Sequence, residues 1–559
     1  MEQRDTQELL RSGKVGLGIE LGSTRIKACA VLPSGRQIAQ GVFAWENRFR
    51  GGHWTYPLDS VWEGIAGAYA MLASECEQKF GVRPQRFVAI GVSAMMHGYL
   101  AFDKNDELLV PFRTWRDTTT GEAAGKLTDL FGVTVPLRWS ISHYYQALLD
   151  REEHVDQVAF LTTLAGYVHW RLTGEKVLGV GDASGMFPIT GRACGTQESC
   201  GSGEGRPGYD PRCLTLFEDA TGIAVEGLLP RVMVAGEIAG TLTVEGARLL
   251  DPSGVLQPGI RVAPPEGDAG TGMVATNAVR PRTGNVSVGT SIFLMAVLEQ
   301  ALTSAHPEID PVTTPVGDPV AMVHCNNGAD ELARWVELFA QVARRLNPSG
   351  DVSLDAVYEA VLGAALEGET DAGGVLAFNN LAGEPIVRLD EGRPVVTRSP
   401  GAVLSLGNFM RAQVYSTFAA LALGLRVLDG ENAGLDVLCA HGGVFRTKLV
   451  MQRLLAAATG TPITVREGAA EGGAWGMALL ALFTARGGGN LADFLDEEIF
   501  ASSTASTIAP ARAEVEGFAR FLDLYETGLP IVERAVDCLP AWMPANEEDT
   551  PINVEGDVS

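Results

Sequence analysis

Asp268 stands in a glycine-rich loop directly ahead of an apolar run, Ala269–Val274, that reads as a helix. A carboxylate there could take the proton from a hydroxyl as that oxygen attacks phosphorus. The same position also suits an Asp that caps the helix N-terminus. Two turns offer matching chemistry. Lys14–Glu20 is an apolar, β-rich run that breaks into Leu21-Gly22-Ser23-Thr24 before a second run, Ile26–Leu32. Gly284–Val288 breaks in the same way into Gly289-Thr290-Ser291 before Ile292–Leu298. Each spacing predicts strand, tight turn, strand. A turn of Gly with Ser or Thr aims several N–H groups and a hydroxyl at one point, which cradles an anion without a net positive charge. One such turn is an ordinary hairpin. Two at corresponding places point to two related lobes.

Other residues could serve a ligand. His97 follows Ala94-Met95-Met96 at the end of an apolar strand, Phe87–Ser93, and strand ends are where α/β sheets bind ligands. Its imidazole could hydrogen-bond a hydroxyl or a ketone, or be a satisfied core histidine. Trp115 offers an aromatic face, and Arg116 and Asp117 could bond hydroxyls; the alternative is a core Trp beside a surface ion pair. Asp182 could contribute a further acceptor or be a turn residue. Gly442-Gly443 follows the strand Leu435–Cys439, and Glu471-Gly472-Gly473 opens a helix. Glycines there let a flat ring lie against the backbone, or simply make βα turns. No GxxxxGK[ST] segment occurs. Gly270-x-Gly272-x-x-Ala275 matches a relaxed dinucleotide fingerprint, but Pro264-Pro265-Glu266 stands where a strand should run in. The second hairpin then occupies the region where an acid is needed.

The elements that must position these residues alternate. Helices are expected over 60–80, 119–131 and His154–Leu172, with short strands at Leu228–Val234 and Gly259–Ala263. Downstream, helices are expected near 329–346, 408–428, 446–459 and 471–486. This alternation predicts an α/β core with covered sheets. Arg192–Gly208 reads as an inserted loop, and the tail after Ala541 is polar and acidic. The formal net charge of −25 argues against nucleic acid and anionic membranes as partners. No apolar run approaches a bilayer span; Met477–Phe483 is typical of the longest. The N-terminus has no signal-like pattern, and eight scattered Cys without a CxxC pair fit reduced thiols in the cytoplasm. Cys194 and Cys200 share a loop without a nearby His, which favours a plain surface loop over a metal site.

Taken together, these segments resemble the FGGY carbohydrate kinases of the actin/Hsp70/sugar-kinase superfamily. GIELGSTRIKACAV is similar to their first phosphate hairpin and GNVSVGTSIFLMAV to their second. VSAMMHGYLAFD, FRTWRDTTT and VGDASGMF resemble sugar-site segments of the xylulokinase-like branch. PPEGDAGTGMVA resembles the loop with the catalytic Asp. AHGGVFRTKLVMQRLLAAATGTPI and EGAAEGGAWGMALLA resemble the adenosine region. Glu20 stands where the family carries Asp, and His441 where Gly is usual.

The resemblance implies two actin-like, ribonuclease-H-like lobes, 1–280 and 281–559, flanking a cleft. It implies an enzyme that uses ATP and Mg²⁺ to phosphorylate the terminal hydroxyl of a ketopentose, L-ribulose or D-xylulose. Asp268 would be the general base. Met96, His97, Trp115, Arg116, Asp117, Asp182 and Asp268 would meet the sugar. Gly22, Ser23, Thr24, Lys27, Gly289, Thr290, Ser291, Gly442, Gly443 and Glu471 would meet the nucleotide, and Glu20 with Asp268 the metal. Expected partners are ATP and a small sugar, and self-association as a homodimer is left open. A kinase for another polyol or ketose (glycerol or a hexulose), a non-catalytic actin-like ATP-binding protein and a dinucleotide oxidoreductase are the rival readings.

Overall fold

The computed structural model describes residues 2–191, 205–348, 350, 352–431, 433–447, 449–466 and 472–541. Most of the expected insert, with Cys194 and Cys200, lies outside the described residues, as do Glu471 and the tail beyond 541. The chain divides into two compact units. One comprises Met1–His324 and Leu421–Arg512; the other comprises Cys325–Ala420 and Ala513–Ser559.

Two large sheets form the frame of the first unit. One holds β1 (Gly16–Leu21), β2 (Arg25–Val31), β3 (Gln37–Ala44), β4 (Ala89–Ala94), β5 (Arg261–Val262) and β6 (Glu266–Gly267). Its order is β5-β4-β1-β2-β3, with β6 also pairing β4. The other holds β7 (Thr283–Val288), β8 (Ile292–Val297), β9 (Asp310–Thr313), β10 (Pro319–Cys325), β11 (Val437–His441), β12 (Ile463–Arg466) and β13 (Ala505–Ile508), in the order β9-β10-β8-β7-β11-β12-β13. The echo seen in sequence is an echo of topology. β1 runs antiparallel to β2 and parallel to β4. β7 likewise runs antiparallel to β8 and parallel to β11. In both sheets the hairpin strand is central, and its burial follows from the apolar runs that make it up.

Five helices position the site: α1 (Leu58–Phe80), α2 (Leu164–Thr173), α3 (Val180–Ala183), α4 (Asp268–Ala275) and α5 (Gly472–Ala485). α5 is apolar on every side, so it must be enclosed. It packs on β1, β4 and α4 of the first sheet although it comes from the far end of the chain. The contact is close enough to constrain sequence: a Cβ at Gly18 would lie 2.0 Å from the Ala474 carbonyl oxygen, so only glycine fits.

Two expected helices are corrected. His154–Leu172 is not one helix: Phe160–Thr162 forms a strand paired with Leu100–Phe102, and α2 begins only after it. Thr163 caps α2 by accepting from the Gly166 N–H at 3.2 Å. A β-branched pair, Thr162-Thr163, thus ends a strand and starts a helix inside an apolar stretch that periodicity alone reads as continuous. The helix expected over 446–459 starts at Val450, after a 3₁₀ turn at Gly443–Arg446.

The second unit is built on the helices Asp330–Leu346 and Arg512–Cys538 and a two-stranded sheet, Val375–Phe378 with Val395–Arg398. Its buried Arg411 donates to the Ala365 carbonyl at 2.8 Å and lies 3.7 Å from Glu514. The long helix over 512–538 escaped the sequence reading.

Burial lowers the His169 pKa to about 4, against the opposing pull of its hydrogen bond to the Ala239 carbonyl, 3.0 Å away. A histidine held neutral in the fold charges first in the unfolded chain, so stability falls as pH drops from about 6.5 towards 4. His169→Gln should flatten that slope, read as a smaller difference between urea midpoints at pH 7.5 and pH 5. An unchanged slope would assign the acid sensitivity elsewhere.

Candidate active site

The first turn is fixed by its carbonyls. Gly22 N–H donates to the Arg25 carbonyl at 3.0 Å. Trp45 Nε1 donates to the Gly22 carbonyl at 2.7 Å, and the Tyr56 hydroxyl donates to the Ser23 carbonyl at 2.6 Å. The two rings stack with centroids 4.2 Å apart, so the donors hold each other in place. In a trans peptide the N–H points opposite to the C=O. Anchoring the Gly22 and Ser23 carbonyls therefore turns the N–H groups of Ser23 and Thr24 the other way. The second turn closes similarly, with Gly289 N–H donating to the Ser291 carbonyl at 3.0 Å, and it leaves Gly289 and Thr290 exposed. Ser23 and Ser291 line one cavity of about 410 Å³, together with Asp268.

Asp268 opens α4. Gly267 is the N-cap, and no side chain caps the helix. The Asp268 carboxylate instead accepts from the Met96 N–H at 3.2 Å and from the Ala269 N–H at 3.0 Å, and its remaining face opens to the cavity. Crowding by protein raises its pKa to about 6; the two N–H donors oppose the rise and the nearby Glu20 charge adds to it. The same helix carries the glycines of the dinucleotide match, which accordingly makes no strand-to-helix phosphate turn.

Glu20 lies at the end of β1, opposite Lys27 across the hairpin. Its Oε2 accepts from the Ala474 N–H in the first turn of α5 at 3.2 Å and lies 3.7 Å from Lys27 Nζ. Gly473 must stay small there, because a Cβ would come within 2.5 Å of Glu20 Oε1.

The sequence-predicted residues divide. Glu20, Ser23, Met96, His97, Trp115, Asp268 and Ser291 line the cavity, as do Gly472 and Gly473 beside the undescribed Glu471. His97 adopts φ +70°, unusual for a residue with a side chain, at the end of β4. Its Nδ1 lies 3.3 Å from the Gly185 carbonyl, which can only accept, so Nδ1 carries the proton. Burial and the Arg138 charge keep the ring neutral, which leaves Nε2 as an acceptor. Asp182 is fully buried behind the cavity. Thr163 donates to its Oδ2 at 2.6 Å, Oδ1 has no hydrogen-bond partner among the described residues, and burial raises its pKa to about 7.

Arg116 and Asp117 are directed elsewhere. The Arg116 guanidinium stacks 4.5 Å over the Trp54 ring. Asp117 is buried and accepts from the Thr119 N–H at 2.9 Å, from its hydroxyl at 2.7 Å, and pairs with His53. Gly442 has φ +125° because its strand passes so near β7 that a Cβ would lie 2.1 Å from the Val288 carbonyl oxygen; Gly443 faces open space.

Sequence reasoning missed the far wall. Across the second sheet, Phe293, Ser287 and His441 occupy neighbouring register positions on β8, β7 and β11, and all three line the cavity. His324 at the end of β10 stacks on Phe293 with centroids 4.1 Å apart and planes 8° apart. Burial lowers the His324 pKa to about 3, and Arg138 adds to the effect. The strand-end rule that flagged His97 could have flagged His324. Arg138 carries no such signal. It lines the cavity, pairs with Asp310 of β9, and is held down to about 10 by burial.

The N-terminal domain of the FGGY family of carbohydrate kinases matches residues 15–192, and the C-terminal domain matches residues 284–485. A xylulose kinase from Haemophilus influenzae is 22% identical over 483 residues, covering 84% of this chain and 89% of that protein. Among solved structures, a xyloylose kinase from Brucella ovis superposes with a TM-score of 0.72 at 20% identity, covering 94% of this chain and 100% of that one. A glycerol kinase from Plasmodium falciparum, solved with ADP, gives 0.67 at 13% identity over 95% and 99% of the two chains.

Removing Arg138 would leave Asp310, only 15% exposed, without its cation. Arg138→Met should cost on the order of 3 kcal/mol in urea unfolding, and adding Asp310→Asn should recover part of it. A single variant as stable as the parent would show that the pair adds nothing.

Proposed function

The chain belongs to the FGGY family of carbohydrate kinases, and from that premise we propose that it phosphorylates the terminal hydroxyl of a five-carbon ketose, L-ribulose or D-xylulose, using ATP. The observation that carries the reading is the convergence of Ser23, Ser291 and Asp268 on one cavity. The sugar lies against Met96, His97 and Trp115, with the His97 Nε2 accepting a hydroxyl and Asp182 supporting this wall from behind. The ATP phosphates lie between the two turns. The adenosine rests near His441, Gly442, Gly443 and the start of α5. The segments 1–280 and 281–559 act as the two functional lobes, and the protein works in the cytoplasm.

Asp268 accepts the proton of the terminal hydroxyl as that oxygen bonds to the γ-phosphorus. The bond from phosphorus to the bridging oxygen breaks, and ADP leaves. Its Met96 and Ala269 donors hold the carboxylate in one orientation for that transfer. The N–H groups of Ser23 and Thr24 and the hydroxyls of Ser23 and Ser291 stabilise charge on the transferring group.

The residues fit Mg²⁺. Glu20 and Asp268 supply two carboxylates to the cavity, and Mg²⁺ is usually held by one or two carboxylates with the rest of its shell from phosphates and water. When bound, it would offset negative charge on the phosphate oxygens. The longer Glu20 reaches further from β1 than an Asp would, and its Ala474 bond fixes that reach.

A second reading, phosphorylation of glycerol or another polyol, draws on the likeness to the Plasmodium glycerol kinase. An ADP-release screen over ketopentoses, ketohexoses and polyols separates the two. The ketopentoses should give the highest kcat/KM, and a leading polyol would overturn the substrate assignment. Asp268→Asn should keep ATP and sugar binding while losing roughly 10²–10⁴ in kcat, the contribution of a positioned base. Near-normal turnover would move the base to another group.

A further inference from the structure

Glu266 sits two residues before Asp268 and takes no part in the chemistry above. It is fully buried, on β6 beside Ser93 of β4. Its carboxyl group fills a slot made by three glycines. A Cβ on Gly179 would lie 2.3 Å from Oε1; one on Gly181 would lie 2.3 Å from Oε2, and one on Gly270 3.2 Å from Oε2. Gly179 and Gly181 flank the start of α3, the helix of Asp182, and Gly270 is in the first turn of α4, the helix of Asp268.

The slot is polar as well as narrow. The carboxyl group meets the backbone N–H groups of Gly181, Asp182 and Gly267. The two segments are also tied by the Gly179 N–H, which donates to the Pro265 carbonyl at 2.8 Å. Asp182 lies just behind Gly267, where a Cβ would come within 3.4 Å of its Oδ1. Glu266 is thus wedged between the backbone that carries Asp182 and the backbone that carries Asp268.

We propose that Glu266 is a positioning residue that locks the Asp182 turn to the Asp268 helix, fixing the distance between the sugar wall and the base. It acts through Asp182 and Asp268, and so rests on the sugar-kinase reading of the site. A carboxyl group suits the place because its flat, two-oxygen end meets N–H groups from both segments at once; an apolar side chain would leave those donors unanswered.

The test is steady-state kinetics of the full-length protein with the best sugar from the screen, on Glu266→Ala, Glu266→Gln and Asp268→Asn. Glu266→Ala should lower kcat about 10- to 100-fold and raise the sugar KM at least fivefold, with the ATP KM within about twofold, as expected when positioning is lost. Glu266→Gln keeps the shape and one acceptor oxygen, and should recover most of both losses. A purely structural role would lower the active fraction without moving the sugar KM, and that result overturns the proposal. So does a Glu266→Ala enzyme with unchanged constants, or a Gln variant no better than Ala. Should Glu266→Ala fail to fold, the Gln variant decides against Gly181→Ala, whose added methyl meets the same carboxyl. The wedge predicts a raised sugar KM for Gly181→Ala and near-parent values for Gln; equal, unchanged values in both refute it. An active Asp268→Asn enzyme would instead sink the underlying assignment of the base and leave Glu266 nothing to position.

Discussion

Glu20 and Asp268 bring two carboxylates to one cavity, and their repulsion is met on every side by backbone N–H groups. Ala474 donates to Glu20 from the first turn of α5, and Met96 and Ala269 donate to Asp268. The nearest cation, Lys27, stands 3.7 Å from Glu20 and is partly exposed, so it screens that charge without cancelling it. Fixed dipoles of this kind stabilise an anion without supplying a mobile counter-charge. Arg138, which lines the same cavity, attracts the Asp268 charge as well. In a chain with a net charge of −25 the repulsion between these two carboxylates is therefore local and answered locally.

Both turns owe their geometry to the strands that flank them. In each sheet the hairpin strand is central, antiparallel to its partner and parallel to a later strand. A central strand cannot slip register without moving its buried face to solvent, so the turn at its end is held in place by the whole sheet. The first turn is fixed further by Trp45 and Tyr56. The apolar helix α5 then binds the end of the chain to its beginning, lying so close on β1 that Gly18 admits no side chain.

Features with a local cause were legible in the sequence. The two hairpins, the helix after Asp268 and the strand that ends near His97 each follow from an apolar period and a turn residue within about ten positions. The resemblance gave the rest of the near wall. What could not be read depends on tertiary placement. Thr162-Thr163 breaks an apparently continuous helix because Phe160–Thr162 finds a partner in Leu100–Phe102. Asp117 gives no local sign that it will meet His53. Arg138 gives no local sign that it will meet Asp310, far along the chain.

The carboxyls behind the cavity show where the fold gives up stability for geometry. Asp182 and Glu266 are fully buried, and among the described residues Asp182 Oδ1 has no hydrogen-bond partner. Burying carboxyl groups is costly even where N–H groups meet them. Glycines at 179, 181 and 270 also give up backbone entropy and packing area. Local rules are broken here in several ways at once, all within one side chain of Asp268. Conflicts of that kind concentrate where a structure is shaped for function and supported by regular elements around it. Here the support is the first sheet and α5, whose packing on β4 and α4 steadies the loop that carries Asp268.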